Sequence, residues 1–259
     1  ARVFSSTGKV IYIDHKIKGF GIDNLPFLPS VPDVDVSYPM NFPFANEYFF
    51  QTEDACKSPW EAVSYEDGRL FYERSTAFLK YRKMFCWGHH VGGRRWCDFL
   101  ANPGEGNYIE IQGGLAPTQL HGLDMPAHSV WDFTQMIGVS QVDPDIACQA
   151  SWDDARAYIE EHVHQQLNEE EVYSSHQRLQ ALADQVPLAL LHRGSGWGEL
   201  ERLRREKTEN RTIPAGFYFP ETDEKQRDWL VLLEEGRLPE HDVHAVPASW
   251  MVQEQWLSM

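Results

Sequence analysis

The sequence has few cysteines and none of the usual cysteine motifs. Among 259 residues there are four, and no two of them form a C-x-x-C pair or a zinc-finger spacing. This pattern is typical of reduced thiols in a cytoplasmic protein, although it leaves a Cys86–Cys97 disulfide open. No Walker-type phosphate loop is present either, because the Gly-Lys-Ser/Thr ending is missing. We therefore expect a cytoplasmic protein with neither a bound metal nor a cofactor.

Positive charge is also scarce. There are 23 Lys and Arg residues against 39 Asp and Glu residues, which gives a formal net charge of −16. Such a charge repels polyanions, and the largest basic cluster, around Arg204 and Arg205, is too small to follow a phosphate backbone. No apolar run approaches the roughly 18 residues of a membrane span, and no signal segment is visible. We exclude nucleic acid and membrane as partners on these grounds.

Short strand-like runs dominate the first part of the chain. Aromatic residues make up 13% of the sequence, which suits β-rich packing or a carbohydrate-facing cleft. Turn residues recur about every ten positions, a spacing typical of a β-sandwich or barrel. Residues 19–43 contain five prolines and are predicted to form an extended loop. The pattern predicts a short strand at 9–13 and an antiparallel meander with strands at 47–51, 60–65, 70–75 and 79–87.

The pattern becomes helical after about residue 140. Ser151 is a candidate N-cap, and apolar residues then recur with helical period to residue 186, in one long helix or two. A glycine-rich turn at 194–198 leads into a short helix, and residues 221–236 form another amphipathic segment. The sequence thus predicts a mainly β protein: an antiparallel β-sandwich domain over 1–140 and a helical annex over 141–259.

Residues 106–138 contain the candidate chemistry, on a predicted β-hairpin or β-arch. Alternation along the strand places Tyr108, Glu110 and Gln112 on one face. After a glycine pair, the loop supplies Gln119 and His121. Carboxylates and amides can donate to and accept from sugar hydroxyls, while aromatic rings cover a pyranose face. We expect a carbohydrate site here.

Residues 88–96 are predicted to form a glycine-flanked loop that reaches the same site. His89 and His90 are adjacent, so on extended backbone they point to opposite sides and do not favour a shared metal ion. The expected site is concave and aromatic-lined, with Glu110 and His121 as catalytic residues. The other expected ligand-binding residues are Gln112, Gln119, Arg94, Arg95, Trp96, Trp87, His89 and Tyr108.

Several blocks of the sequence resemble a family of largely uncharacterised bacterial proteins. In that family a galactose-mutarotase-like β-supersandwich precedes tetratricopeptide repeats. The resemblance covers most of the chain and is densest between residues 59 and 138. It implies that residues 1–140 are the C-terminal portion of a supersandwich. The matching blocks are residues 59–62, 75–76, 82–88, 93–96, 108–116, 118–119, 125–127 and 196–198.

More remotely, residues 110–112 with 125–127 are similar to the Glu-x-Gln strand of aldose mutarotases, which supplies their catalytic base. This similarity implies that Glu110 is the base here. The histidine acid of mutarotases and a Trp-rich strand of the family lie upstream of the matching region. The resemblance therefore implies a companion polypeptide, or an upstream part of the protein, that completes the sandwich and covers an exposed sheet edge.

Three functions fit these residues. The first is a glycoside hydrolase or related sugar-transforming enzyme in which Glu110 acts with a second carboxylate. The second is an aldose epimerase, in which Glu110 works with His89, His90 or a histidine outside this chain. The third is a non-catalytic carbohydrate-binding domain. The alternative to all three is a structural role, in which Glu110 forms an ion pair with Arg94 or Arg95. Candidates for the second carboxylate are Asp124, Asp98 and Glu199.

Overall fold

The protein is a mixed α and β protein with two antiparallel sheets, about 22% strand and 32% helix. The computed structural model describes residues 1–14, 18–183, 185, 188, 189, 191, 192, 194–213, 217–246, 251 and 253–259. The chain divides into two compact units, Ala1–Leu179 and Gln180–Met259. Within the described residues, no helix has the length and apolar character needed to span a membrane.

All of the named strands lie in the first unit. Sheet A has the order β1-β5-β6-β9, and sheet B has the order β3-β2-β4-β7-β8. Every strand pairing in both sheets is antiparallel. The strands are β1 (Arg2–Ser5), β2 (Lys9–Asp14), β3 (Gly19–Asn24), β4 (Asn46–Phe50), β5 (Trp60–Ser64), β6 (Arg69–Ser75), β7 (Tyr81–Cys86), β8 (Ile109–Gly114) and β9 (Gln135–Gln141).

The helices follow or interrupt this strand series. Ser151 caps α3 as predicted, since its side chain accepts a hydrogen bond from the Asp154 amide. The helical period that follows forms two helices rather than one. The helices are α1 (Val91–Leu100), α2 (Pro144–Gln149), α3 (Trp152–Gln166), α4 (Glu169–Ala183), α5 (Gly196–Glu209), α6 (Arg227–Glu235) and α7 (Glu254–Leu257).

The pairing of the strands differs from the predicted meander. β5 and β6 form a hairpin in sheet A, whereas β4 and β7, which flank them in sequence, pair with each other in sheet B. The meander prediction is therefore wrong, although the antiparallel arrangement is confirmed. β8 and β9 lie in different sheets, which matches an arch and not a hairpin. The segment predicted as an extended loop contains β3 in its first six residues.

The predicted loop at residues 88–96 is helical from Val91 onward. Two glycines lie in its first turn, and because glycine has a low helix propensity the sequence predicts a loop there and not a helix. Gly93 is needed there, since a Cβ at this position would lie 2.0 Å from the Trp87 carbonyl oxygen. All four cysteines are free thiols, so the Cys86–Cys97 disulfide that the spacing left open does not form.

Sheet A is covered on both of its faces around β5, whose five residues are all buried. On one face, Phe4 stacks on Trp152 of α3 with ring centroids 6.4 Å apart. Arg2 reaches α2 from the same face and donates to the Ala150 carbonyl at 2.8 Å. One hydrophobic core joins residues of both sheets with α2, α3 and α4. The change from strand to helix falls near residue 142, whereas the compact unit extends to Leu179.

A buried ionisable cluster lies where the other face of sheet A meets sheet B. Glu61, Glu73 and Arg82 are 0%, 1% and 0% exposed. Arg82 Nε lies 2.8 Å from Glu73 Oε1. Burial raises the pKa of Glu61 well above its usual value, and the negative charge of Glu73 raises it further. The cluster therefore favours the protonated form of Glu61 beside a Glu73–Arg82 ion pair.

The second unit has a small core of its own. Leu200, Leu232, Leu233 and Trp256 are buried together, and Trp197 packs against them while only partly buried. The glycine-framed Trp197 of the sequence is therefore a packing residue of α5.

Candidate functional site on the outer face of sheet B

The outer face of sheet B contains the residues that the sequence singled out on β8. In β7, Arg82 and Met84 are buried against the core, so Lys83 and Phe85 point to the opposite, outer face. Glu110 pairs directly with Phe85, and Gln112 pairs with Lys83. Directly paired residues of an antiparallel sheet share a face. Glu110 and Gln112 therefore both lie on the outer face, as the alternation predicted.

A chain of hydrogen bonds runs along this face and ends on Glu110. Lys83 Nζ donates to Gln119 Oε1 at 2.9 Å, and Gln119 Nε2 donates to Gln112 Oε1 at 3.2 Å. Gln112 Nε2 in turn donates to Glu110 Oε1. In each of the two amides, the oxygen accepts from the neighbour on the side of Lys83 and the nitrogen donates to the neighbour on the side of Glu110. The chain thus fixes the orientation of both amides and holds one oxygen of the Glu110 carboxylate.

The segment of residues 115–121 crosses the outer face from one edge of sheet B to the other. It starts after edge strand β8, and its Pro117 carbonyl accepts from Gln51 at 3.5 Å. It ends where the His121 ring packs on Phe20 of edge strand β3, with centroids 5.7 Å apart. His121 Nδ1 also shares a 2.7 Å hydrogen bond with Thr118 Oγ1. His121 is exposed, in the same segment that supplies Gln119.

Lys83 is a residue of this site that the sequence analysis missed. It is 5% exposed, and burial lowers the pKa of its ammonium group. Gly114 makes room for it, because a Cβ there would lie 2.8 Å from Lys83 Cε and 2.9 Å from Nζ. Only the register of β7 against β8 identifies Lys83, since the two strands are more than twenty residues apart in sequence.

Glu47 is the second residue that the sequence analysis missed. It pairs with Phe85, so Glu47, Phe85 and Glu110 form one row across three strands of the outer face. Two such pairings separate the Cα atoms of the two glutamates by about 10 Å. Desolvation raises the pKa of the Glu47 carboxyl, although the residue keeps contact with solvent. Glu47 and Glu110 are thus two carboxyl groups on the outer face of β4 and β8, with the Phe85 ring of β7 between them.

Aromatic side chains surround this row. The rings of Phe49 and Phe85 meet edge to face with centroids 5.7 Å apart. Trp87 follows β7 directly, and the half-buried Tyr108 directly precedes β8. The indole Nε1 of Trp87 is buried and has no hydrogen-bond partner within the described ranges. An indole N–H of this kind can donate to a ligand oxygen.

The residues predicted on the 88–96 loop lie around or on α1. Trp96 is half exposed and contacts Trp87, with ring centroids 5.9 Å apart. Arg94 Nε donates to the His89 carbonyl at 2.8 Å, and His90 caps the helix by accepting from the Gly93 amide. Arg94 and Arg95 are exposed, and neither forms an ion pair with Glu110 in the part of the chain that the structure describes. Pairing with these arginines therefore does not account for Glu110.

The three carboxylates named as partners of Glu110 lie in other settings. Asp98 is exposed on α1, and Asp124 is exposed beyond the segment of residues 115–121. Glu199 belongs to the second unit, where it forms an ion pair of 2.6 Å with Arg202 on α5. None of them shares the row of Glu110 on the sheet. Within the described residues no group of three or more His, Cys, Asp or Glu residues is arranged to hold a metal ion.

The site thus combines two carboxyl groups, a buried lysine, two oriented amides and several aromatic rings on one sheet face. Such a set can bind hydroxyl groups and can give or take a proton. Scans against family models, curated proteins and solved structures return no match to the chain.

Proposed function

We propose that this protein binds carbohydrate on the outer face of sheet B and acts on it as a glycoside hydrolase, with Glu110 as an acid/base residue. The observation that carries the proposal is the hydrogen-bond chain from Lys83 through Gln119 and Gln112 to Glu110. A half-buried chain of oriented amides that ends on a carboxylate is a pre-organised set of donors and acceptors. Sugar hydroxyls are its natural complement.

The geometry of the row supports a pair of carboxyl groups with separate roles. Glu47, whose raised pKa favours the protonated form, donates a proton to the glycosidic oxygen as the bond to the anomeric carbon breaks. Glu110 takes a proton from the water that attacks the same carbon from the opposite side. Carboxyl groups roughly 6.5–9.5 Å apart leave room for this water and invert the anomeric configuration. Side chains rising from Cα atoms about 10 Å apart can reach that separation, so we expect inversion.

Phe85 lies between the two glutamates and fits the same reaction. Its ring is partly exposed on the outer face and is held edge to face by Phe49. An aromatic ring at this place can cover the apolar face of a pyranose. The unpaired Trp87 indole N–H, at the margin of the row, adds a donor for a sugar oxygen.

An aldose epimerase is the second candidate, because histidines lie on both of the segments that flank β8 in sequence, His89 and His90 before it and His121 after it. In this reaction Glu110 takes the proton of the anomeric hydroxyl and a histidine protonates the ring oxygen. His121 packs on β3 at the far edge of the sheet, which leaves His89 and His90 as the candidates for this acid. A non-catalytic carbohydrate-binding domain would use the same face without either step.

The experiment combines binding and turnover on the same preparations. Wild-type protein and the Glu110→Gln, Glu47→Gln and Glu66→Gln variants are tested for binding to a panel of monosaccharides and oligosaccharides. Turnover is followed with aryl glycosides, with proton NMR for the product anomer, and by polarimetry of reducing sugars. Glu66 is a matched control because its side chain is 90% exposed and lies away from sheet B.

We expect Glu110→Gln and Glu47→Gln to retain sugar binding and to lose at least about 100-fold in glycoside turnover, the usual effect of losing an acid/base group. Glu66→Gln should behave as wild type. Retained binding with no turnover in any variant or in the wild type would identify a binding domain. Mutarotation without hydrolysis would identify the epimerase. Absence of sugar binding by the wild type would refute the proposal altogether.

The finer architecture and the partner expected from the family resemblance are part of this proposal. We propose that the two sheets form a galactose-mutarotase-like sandwich and that a companion polypeptide covers edge strand β9. Ile137 and Val139 of β9 are 65% and 70% exposed, which is unusual for large apolar side chains on a sheet. A cytoplasmic location, expected from the cysteine pattern, agrees with the four free thiols.

A further inference from the structure

Strand β9 is a free edge of sheet A, since β6 is its one neighbour among the described strands. At one end of this pairing the Thr76 amide donates to the Thr134 carbonyl. At the other end the Val142 amide donates to the Gly68 carbonyl. Hydrogen-bonded and non-hydrogen-bonded pairs alternate along an antiparallel ladder. The even-numbered residues of β9 therefore bond to β6, and the odd-numbered residues turn their N–H and C=O groups to the free edge.

This edge has none of the usual protection against pairing with another strand. The seven residues of β9 include no charged residue and no proline. Its odd-numbered side chains are all exposed, on one face of the sheet. The backbone groups of Ile137 and Val139 make no main-chain hydrogen bond to any other described residue. A strand of this kind is open to the addition of a further strand.

The sequence of β9 is nearly symmetric about its central residue, Gly138. Gln-Met-Ile precedes this glycine, and Val-Ser-Gln follows it. A second copy of the strand can lie antiparallel with the two central glycines opposite each other. Each Ile137 then faces a Val139 of the other copy, and each Gln135 faces a Gln141. These are the residues whose backbone groups point to the free edge, so in this register every one of them gains a hydrogen-bonding partner.

We propose that the companion of β9, whose coverage is itself part of the proposed function, is a second copy of this chain. The two strands pair across a two-fold axis at Gly138, and the two copies of sheet A become one continuous antiparallel sheet. The same axis brings Ile137 and Val139 of both copies together on one face, where they shield each other from water.

The charge of the protein favours this companion over a partner of another kind. A chain with a net charge of −16 attracts basic proteins, but β9 has no charged side chain with which to hold one. Two copies of the chain repel each other at long range, and an uncharged edge adds no repulsion where they touch. The contact therefore depends on backbone pairing and apolar side chains, which the two copies supply in matching positions.

The first measurement is the mass of the protein in solution, by light scattering or sedimentation equilibrium at increasing protein concentration. Ile137→Lys places a charge at the centre of the contact. Ile22→Lys is its matched control, because Ile22 is similarly exposed, at 62%, on β3, an edge strand of sheet B. Circular dichroism checks that both variants are folded, and sugar binding is measured separately on each.

We expect wild type and Ile22→Lys to reach twice the monomer mass of 29.9 kDa. Ile137→Lys should associate at least about tenfold more weakly. Higher salt should strengthen the dimer, because it screens the repulsion between two acidic copies. A monomeric wild type, or a dimer that Ile137→Lys leaves intact, would overturn the second copy as the companion. Sugar binding on the outer face of sheet B would stand or fall by its own measurement.

The register is tested with two cysteine variants, Ile137→Cys and Val139→Cys, oxidised separately and as an equal mixture. Opposite residues of a hydrogen-bonded pair have Cα atoms about 5.5 Å apart, which suits a disulfide. Diagonal residues lie about 7–8 Å apart, too far for one. We expect disulfide-linked dimers from the mixture, and only the wild-type background from either variant alone. Equal cross-linking of the single variants would overturn the symmetry about Gly138.

Discussion

Replacing Glu61 by Gln should make the protein more stable at neutral pH, and the gain should grow with pH. Glu61 is fully buried beside Glu73, and its pKa in the folded state is raised by burial and by the charge of Glu73. In the unfolded chain the same carboxyl group ionises near pH 4.3. Because the pKa of Glu61 is higher in the folded protein than in the unfolded chain, this group contributes its full stabilisation at any pH below its pKa in the unfolded chain. That stabilisation is lost as the pH rises from the pKa of the unfolded chain toward the pKa of the folded protein.

The expected size follows from this linkage. Between the two pKa values, Glu61 lowers the free energy of unfolding by about 1.4 kcal/mol for each pH unit. From pH 5 to pH 7 the loss is therefore at most about 2.7 kcal/mol. Glutamine has nearly the same shape and has no charge to desolvate. The free energy of unfolding of Glu61→Gln minus that of wild type should therefore rise with pH, by up to this amount over the interval.

Urea unfolding at pH 5, 6 and 7, followed by circular dichroism, measures this difference. Amide hydrogen exchange of β5 reports it locally for sheet A. Glu66→Gln serves as control, because that side chain is 90% exposed and its replacement should give a pH-independent difference. A Glu61→Gln difference that stays constant from pH 5 to 7 would refute the raised pKa. A constant difference in which Glu61→Gln is the less stable protein would show that Glu61 is ionised and paired with Arg82, because a lowered folded pKa changes stability only below the unfolded pKa.

Three further substitutions test other parts of the structure. Gly114→Ala should push the Lys83 ammonium away from Gln119 with little loss of thermal stability, but should weaken sugar binding by about 3- to 10-fold in a calorimetric titration. Arg2→Leu removes a buried donor to the Ala147 and Ala150 carbonyls and should lower the free energy of unfolding by about 3–5 kcal/mol in urea. Ser151→Ala removes the N-cap of α3 and should lower the free energy of unfolding by about 1 kcal/mol. An unchanged free energy of unfolding would mean that the cap is dispensable.

Local features of the fold were accessible from the sequence. Alternation located β2, β4, β5, β6 and β7 to within about two residues, because side-chain periodicity is set by the strand itself. The cap at Ser151 was found for the same reason, since its hydrogen bond spans only three residues. The common face of Glu110 and Gln112 also follows from neighbours in one strand.

Features that depend on the pairing of strands far apart in sequence could not be predicted from the sequence. Lys83 and Glu47 join the site only because β7 lies between β4 and β8, and nothing within each strand determines its neighbour. The helix α1 was missed because Gly92 and Gly93 suggest a loop. Gly93 is required by close contact with the Trp87 backbone, a constraint of tertiary structure.

The position of β1 has a consequence for how this protein is made. The first strand pairs with β5, and the Val3 carbonyl accepts from the Trp152 indole at 3.2 Å. On the ribosome, β1 emerges well before these partners. At about 5–20 residues per second, some 150 residues take roughly 8 to 30 s to follow. During that interval Val3 and Phe4, which are 0% exposed in the folded protein, are open to chaperones or to a neighbouring nascent chain.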